Sequence, residues 1–199
     1  MWAAIWDAIV ISFEIDLGDL EASAKVDGHG QAKILTDEEL GRLFESGFQS
    51  WRDRALFAIC MFTGCRISEA LQLKAEMIRG NFITFTRETR KGKTGTQQVE
   101  IVPGLRALLD DWQRLGEMPT SGYLFRSRPD SKQPFLSRMQ AHEILKTACD
   151  RIGIEGVSTH SFRRTYITKL RAKGYSPAQI QRRTGHKRRE NLMHYFDQV

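Results

Sequence analysis

The sequence predicts an α+β domain that is mostly α-helical and contains one small antiparallel sheet. Its 199 residues amount to about one domain, and 41% apolar with 27% charged residues is typical of an ordered globular protein. Helix start and stop signals recur along the chain from residue 31 onward. Only near residues 82–102 does strand-like alternation replace the helical spacing.

The helices are located by their capping residues. Thr36 and Glu39 form a capping box that opens a short helix through Phe44. Ser50 caps a second helix, which Gly64 closes, and a third helix begins around Arg66. Further helices are predicted at 103–116, 137–152, 159–173, 177–183 and 189–197.

The sheet is predicted as a hairpin of two strands at 82–86 and 97–102, joined by a basic turn at 87–96. Before the helices begin, residues 1–30 are acidic, end in Asp-Gly-His-Gly and are expected to be an N-terminal extension and linker. The remainder, 31–199, reads as a single domain.

The charge is distributed unevenly. The net charge is +6, yet residues 1–50 hold 3 basic and 10 acidic side chains, whereas residues 151–199 hold 11 basic and 3 acidic ones. A strongly basic C-terminal quarter indicates a polyanionic partner, with a solvated basic face as the alternative.

Several protein classes are disfavoured by the sequence. It has no apolar run of about 18 residues, so no transmembrane helix is expected. Three scattered cysteines, Cys60, Cys65 and Cys149, indicate buried, reduced thiols in a cytosolic protein. Neither a phosphate-binding loop nor a zinc-helix spacing is present, so an ATPase and a metal-dependent nuclease are weak interpretations.

Four segments carry residues suited to chemistry on an anion. The first contains Arg66 and Glu69 after a helix-ending glycine, and the second contains His160 and Arg163, which share one face at a helix start. A helix start of this kind suits a phosphate. The third is the turn 184–187 and the fourth the apolar stretch 192–196. Taken singly, each segment has an ordinary structural explanation, such as an ion pair, a cap or a core residue.

Together these segments resemble the catalytic domain of the tyrosine recombinases, the phage-integrase family of site-specific DNA recombinases. The matching stretches are TGCRISEAL, the hairpin with its Lys-Thr-Gly, HSFRRT and GHKRRENLMHY, and the resemblance covers about residues 31–199. It implies the DNA breaking-rejoining fold and cleavage of DNA through a 3′-phosphotyrosine intermediate. It places the catalytic residues at Arg66, Lys93 (with Lys91 as the alternative), His160, Arg163, His186 and Tyr195, and an auxiliary carboxylate at Glu69.

The roles implied by this resemblance fit the chemistry of phosphodiester cleavage. The tyrosine hydroxyl, with a free pKa of about 10, needs a base, and His160 is the expected one. Arg66 and Arg163 offer forked donors to the nonbridging oxygens, and His186 adds a further donor. Lys93 protonates the leaving 5′ oxygen. The covalent intermediate keeps the bond energy, so neither ATP nor a metal or other cofactor is expected.

The expected partner is double-stranded DNA, with self-association in a tetrameric synapse on it, no membrane and a cytoplasmic, nucleoid-associated location. Contacts to the DNA backbone are expected from Lys91, Arg164, Lys169, Arg182, Arg183, Lys187 and Arg188. Two alternatives stay open. A type IB topoisomerase would share the chemistry. A non-cleaving DNA-binding accessory protein would share the fold, and this alternative stays open because only residues 1–30 precede the part that resembles the family.

Overall fold

The computed structural model describes residues 32–89, 95–186 and 192. Within these ranges the helices are α1 (Asp37–Arg42), a π-helical turn (Leu43–Gly47), α2 (Trp51–Thr63), α3 (Ile67–Ala70), a 3₁₀ turn (Ala75–Met77), α4 (Pro103–Arg114), α5 (Arg138–Ile152), α6 (Ser161–Ala172) and α7 (Pro177–Thr184). The strands are β1 (Ile78–Arg79), β2 (Phe82–Phe85) and β3 (Gln97–Glu100). This is the mostly helical α+β architecture that the sequence predicts.

The predicted caps set the helix boundaries. The Thr36 hydroxyl accepts from the Glu39 amide and the Glu39 carboxylate accepts from the Thr36 amide, which completes the capping box. The Ser50 hydroxyl accepts from the Asp53 amide at 3.1 Å and starts α2. Gly64 ends α2 in the left-handed conformation, with φ of 63°.

The sheet has the order β1-β2-β3, and both pairs are antiparallel. Ile83 in the central strand lies opposite Ile78 on one side and Val99 on the other. The hairpin of β2 and β3 was predicted, whereas the two-residue strand β1 and the π-helical turn were not. Both are too short to leave a periodic pattern in the sequence.

Helix α2 runs through the middle of the hydrophobic core. All its residues from 55 to 63 are buried, and it packs against α4 on one side and α6 on the other. The Phe57 ring stacks on Phe48 with 4.8 Å between centroids and lies 5.1 Å from Phe162 of α6. The three predicted core thiols, Cys60, Cys65 and Cys149, are free and buried. This packing fixes the end of α2 against the start of α6.

Some predictions fall outside the part of the chain that the structure describes. They are the extension 1–30, Lys91, Lys93, Lys187, Arg188, Tyr195 and all of the helix predicted at 189–197 except Leu192, which is helical and buried. Among the described residues, no helix combines the length and apolar character needed to cross a membrane.

Candidate active site

The Arg163 guanidinium joins the ends of three helices. It lies on the first turn of α6 and is only 3% exposed. Its Nη1 donates to the Gly64 carbonyl, just after α2, at 2.6 Å, and its Nη2 donates to the Thr184 carbonyl, at the end of α7, at 3.0 Å. Because both acceptors are main-chain oxygens in structured caps, they fix the plane of the guanidinium.

Gly64 allows α2 and α6 to approach each other closely. A Cβ atom added to Gly64 would lie 2.3 Å from Cδ1 of Tyr166 on α6, and its φ of +63° also favours glycine. The Tyr166 ring therefore occupies the space that a side chain at position 64 would need. This contact brings the Gly64 carbonyl within reach of Arg163.

His186 lies beside Arg163, two residues after the end of α7, and is 8% exposed. The Arg163 Nη2 atom lies 3.1 Å from Nδ1 and 2.9 Å from Nε2 of the ring. On its other side, Nδ1 lies 2.7 Å from the Thr184 hydroxyl oxygen. Burial, and then the positive charges of Arg163 and Arg66, lower the pKa of His186 to about 3. The imidazole is therefore neutral at physiological pH.

Arg66 occupies the N-cap position of α3 and is oriented by Glu69. The Glu69 carboxylate accepts from the Arg66 amide at 2.8 Å and from Arg66 Nη1 at 2.9 Å, and Glu69 itself is buried. The side chain of Arg66 is 25% exposed. The pairing of Arg66 with a nearby carboxylate is the one that the sequence predicts. The Arg66 guanidinium is therefore accessible to a ligand, and the buried Glu69 carboxylate fixes its orientation.

His160 lies at the N-cap of α6, three residues before Arg163, and is exposed. The predicted start of this helix at residue 159 is displaced, since Ser161 is the first helical residue. The structure thus brings Arg66, Arg163 and His186 together and places His160 at the start of the helix that carries Arg163. Arg163 contacts the neutral imidazole and the charge of Arg66 acts on it, an arrangement that could bind a small anion such as a phosphate.

Two of the residues expected to contact DNA, Lys169 and Arg164, lie in the interior, so neither is proposed as a DNA contact. Lys169 is fully buried and its ammonium pairs with Asp37. Arg164 is 8% exposed and donates to the Ala32 carbonyl at 2.5 Å. In sequence they belong to a basic run, but their positions on α6 face the segment that leads into α1.

Arg182 and Arg183, two of the residues predicted to contact DNA, are exposed at the end of α7. The Arg183 guanidinium lies 4.9 Å from the centroid of the Tyr175 ring. The carbonyls of both arginines accept from the Gln97 side-chain amide, at 3.2 and 2.7 Å. Gln97 starts β3, so the hairpin is attached to the helix that leads to His186.

Gly64, Thr184 and Gln97 were not predicted as site residues, although their backbone or side-chain groups orient the site. Hydrogen bonds accepted by main-chain carbonyls leave no signal in a sequence, and only the Thr-Gly-His run marks Thr184 as a neighbour of His186. Among the described residues, no cluster of three or more His, Cys, Asp or Glu side chains could hold a metal ion.

Comparison with known proteins gives one family. The model of the phage integrase family matches residues 33–199. A probable integrase/recombinase of Bacillus subtilis, YoeC, is 26% identical over 145 residues, which cover 73% of this chain and 77% of that protein. The tyrosine recombinase XerA of Pyrococcus furiosus is 33% identical over 158 residues, covering 77% of this chain and 53% of that protein. The chain thus spans about half the length of several of its curated relatives.

Solved structures show the same fold. The catalytic domain of bacteriophage HP1 integrase superposes with a TM-score of 0.62 at 24% identity, covering 85% of this chain and 89% of that one. XerH site-specific recombinase bound to its difH substrate superposes with a TM-score of 0.65 at 24% identity, covering 82% and 49%. The predicted family and fold class are both confirmed.

Proposed function

The chain belongs to the phage integrase family, and we propose that it is a site-specific DNA recombinase that cuts and rejoins DNA through a 3′-phosphotyrosine intermediate. The observation that carries this proposal is the convergence of Arg66, Arg163 and His186. These residues come from three separate stretches of the chain, and both arginines lie close enough to His186 to lower its pKa. Placing two positive charges near a buried imidazole costs free energy, and a purely structural role does not explain that cost.

In this proposal the two guanidiniums bind the nonbridging oxygens of the scissile phosphate. Arg66 is oriented by Glu69 and Arg163 by the Gly64 and Thr184 carbonyls, so little reorganisation is needed when negative charge develops in the transition state. His186 adds a hydrogen bond to the same oxygens.

The proton transfers are assigned to residues around this anion site. Tyr195 is the proposed nucleophile and His160, at the start of α6, the proposed base. Lys93 on the hairpin turn, with Lys91 as the alternative, is the proposed acid for the leaving 5′ oxygen. The hydrogen bonds from Gln97 to the Arg182 and Arg183 carbonyls support this assignment, because they hold the base of the hairpin beside α7.

Double-stranded DNA is the proposed partner, with a tetrameric synapse and a cytoplasmic, nucleoid-associated location. XerH was solved with its difH substrate and the Tn1549 integrase with circular intermediate DNA, which supports a DNA partner for a chain of this fold. We propose Arg182 and Arg183 as backbone contacts, together with Lys91, Lys187 and Arg188. Binding through them should weaken steeply as salt rises.

The test is incubation with nicked suicide DNA that carries the attachment site of the source element, followed by a denaturing gel. The proposal expects a covalent protein–DNA adduct in wild type and none in Tyr195→Phe, while both bind the DNA. If wild type binds without forming an adduct, the non-cleaving accessory protein is favoured instead. Adduct formation together with relaxation of a plasmid that lacks the attachment site would favour a type IB topoisomerase.

A further inference from the structure

We propose that Thr184 is a positioning residue that holds His186 in the tautomer with its proton on Nδ1. The proposal concerns a residue to which neither the sequence nor the family comparison gives a role. Its consequence for DNA cleavage rests on the recombinase function proposed above, whereas the tautomer itself can be measured without any activity.

The hydrogen bonds of the Thr184 hydroxyl give the first part of the argument. Thr184 is the last residue of α7 and is buried. Its Oγ1 donates to the Ile180 carbonyl, one helical turn earlier, at 2.7 Å. The same oxygen lies 2.7 Å from His186 Nδ1. Because a hydroxyl has one proton, and that proton is used on Ile180, Oγ1 accepts from the ring. The ring proton therefore lies on Nδ1.

The charges around the ring favour the same tautomer. Arg163 on α6 places Nη2 2.9 Å from Nε2 and 3.1 Å from Nδ1, and Arg66, before α3, adds a second positive charge whose own partner is Glu69. The guanidinium is nearer to Nε2, where a lone pair is attracted to it, whereas Nδ1 is nearer to the Thr184 oxygen, at 2.7 Å, than to the guanidinium. The opposite tautomer would also require the Thr184 hydroxyl to turn away from Ile180 and donate to Nδ1.

Thr184 also links the ring to the arginine beside it. Its carbonyl accepts from Arg163 Nη2 at 3.0 Å, while its hydroxyl bonds the His186 ring. One residue thus sets both the position of a guanidinium and the orientation of the neighbouring imidazole. The Gln181 side chain adds a bond to the His186 carbonyl at 3.0 Å, so the main chain of the turn is held as well.

This tautomer constrains how His186 can act on a phosphate. With the proton on Nδ1, the Nε2 atom of a neutral ring accepts hydrogen bonds and cannot donate one. His186 becomes a donor to a phosphate oxygen by binding one further proton from solvent at Nε2. The negative phosphate, lying among Arg163, Arg66 and the ring, is the charge that makes this protonation favourable.

The tautomer is measured by long-range ¹⁵N–¹H NMR correlation on the full chain labelled with ¹⁵N-histidine, using His186→Asn to assign the signals. We expect wild type and Thr184→Ser to show His186 protonated on Nδ1. Thr184→Val, which keeps the side-chain shape but lacks the hydroxyl, should shift the ring toward the Nε2-protonated form. A wild-type ring protonated on Nε2 would overturn the proposal, as would an unchanged pattern in Thr184→Val.

Cleavage of suicide DNA gives the second readout. Thr184→Val should lower the single-turnover cleavage rate about 10- to 100-fold, the loss seen when the orienting partner of a metal-bound histidine is removed, with DNA affinity little changed. Thr184→Ser should restore most of the rate. Thr168→Val, which removes a buried hydroxyl from α6, is the matched control and should cleave normally. Equal rates for Thr184→Val and wild type would contradict the positioning role. Absence of any wild-type adduct would contradict the recombinase function alone, because the NMR pattern still decides the tautomer.

Discussion

A positive charge at position 163 is not sufficient, because the surrounding groups accept hydrogen bonds in two directions. The Arg163 guanidinium donates in two directions, to the Gly64 and Thr184 carbonyls, while it lies against the His186 ring. A lysine has a single point of attachment and cannot span these acceptors. We expect Arg163→Lys to lower the cleavage rate by about 10²–10³, the loss typical of one preorganised donor, while DNA binding falls much less.

The matched control for this substitution is Arg182→Lys, at an exposed position that the proposal assigns to the DNA backbone. A lysine there still binds phosphate as a point charge, so both cleavage and binding should stay close to wild type. Single-turnover cleavage and a filter-binding titration measure the two quantities. Equal losses of cleavage in both variants would show that Arg163 acts through charge alone.

His186 makes the stability of the domain depend on pH. Its pKa is about 3 in the folded chain, because of burial and the charges of Arg163 and Arg66, against about 6.5 when unfolded. The unfolded chain therefore binds the proton first. The stability that comes from a neutral His186 is fully present above about pH 6.5 and is lost as pH falls toward 3, by at most about 1.4 kcal/mol per pH unit.

The corresponding prediction is that His186→Asn flattens the fall in unfolding free energy between pH 6.5 and 4. Urea unfolding at a series of pH values measures it, and carboxylates that titrate in the same range are common to both proteins. Substitution of the exposed His142 by Asn is the control. If the wild type and His186→Asn curves run parallel throughout this range, the buried neutral imidazole is contradicted.

At the scale of elements, the contact between the end of α2 and α6 positions the site. Gly64→Ala meets both a left-handed backbone and the Tyr166 ring, whereas Gly153→Ala, at the end of α5 with φ of +68°, meets only the backbone strain. The strain costs about 1–2 kcal/mol in either variant. Overpacking against Tyr166 should add about 1–3 kcal/mol for Gly64→Ala, measured as the free energy of unfolding in urea. Equal losses would show that the ring moves aside without cost.

The sequence predicted most elements because their boundaries depend on local chemistry. Ser50, Gly64 and Pro103 mark helix ends through caps and fixed backbone angles, and each lies where expected. The π-helical turn after α1 was missed because its 5 residues are too few to leave a periodic pattern. The third predicted helix is a single turn, Ile67–Ala70.

The candidate site was predicted only in part, because some of the contacts that orient it are not local in sequence. The family resemblance predicts Arg66, Arg163 and His186 as site residues, but the carbonyls of Gly64 and Thr184 that orient Arg163 belong to the backbone and depend on tertiary contacts. Lys169 and Arg164 were expected on the surface because charged residues usually lie there. Their partners, Ala32 before α1 and Asp37 at its first position, lie 132 residues earlier in the chain.

At the scale of the whole molecule, hydrogen bonds between residues about 130 positions apart tie the start of the domain to the helix that carries Arg163. The Leu35 amide donates to the Thr165 hydroxyl at 2.8 Å, Arg164 donates to the Ala32 carbonyl, and Lys169 pairs with Asp37. The segment before α1, together with the first residue of α1, is therefore hydrogen-bonded to α6. A change in these contacts would alter the position of Arg163, which lies within one helical turn of Arg164 and Thr165.

The ion pair of Lys169 and Asp37 gives the last prediction. The Lys169 side chain is 1% exposed and that of Asp37 is 36% exposed, so the two single substitutions should not be equivalent. Asp37→Ala removes the carboxylate that pairs with a buried ammonium and should cost about 1–3 kcal/mol of unfolding free energy. Lys169→Met keeps the side-chain volume and leaves the Asp37 carboxylate, which water can reach. It should therefore lower the unfolding free energy far less. The double variant should recover most of what Asp37→Ala loses, because the ammonium whose burial is expensive is then gone. Urea unfolding of the four proteins forms a double-mutant cycle, and additive losses in the double variant would show that the pair does not stabilise the attachment of the first segment to α6.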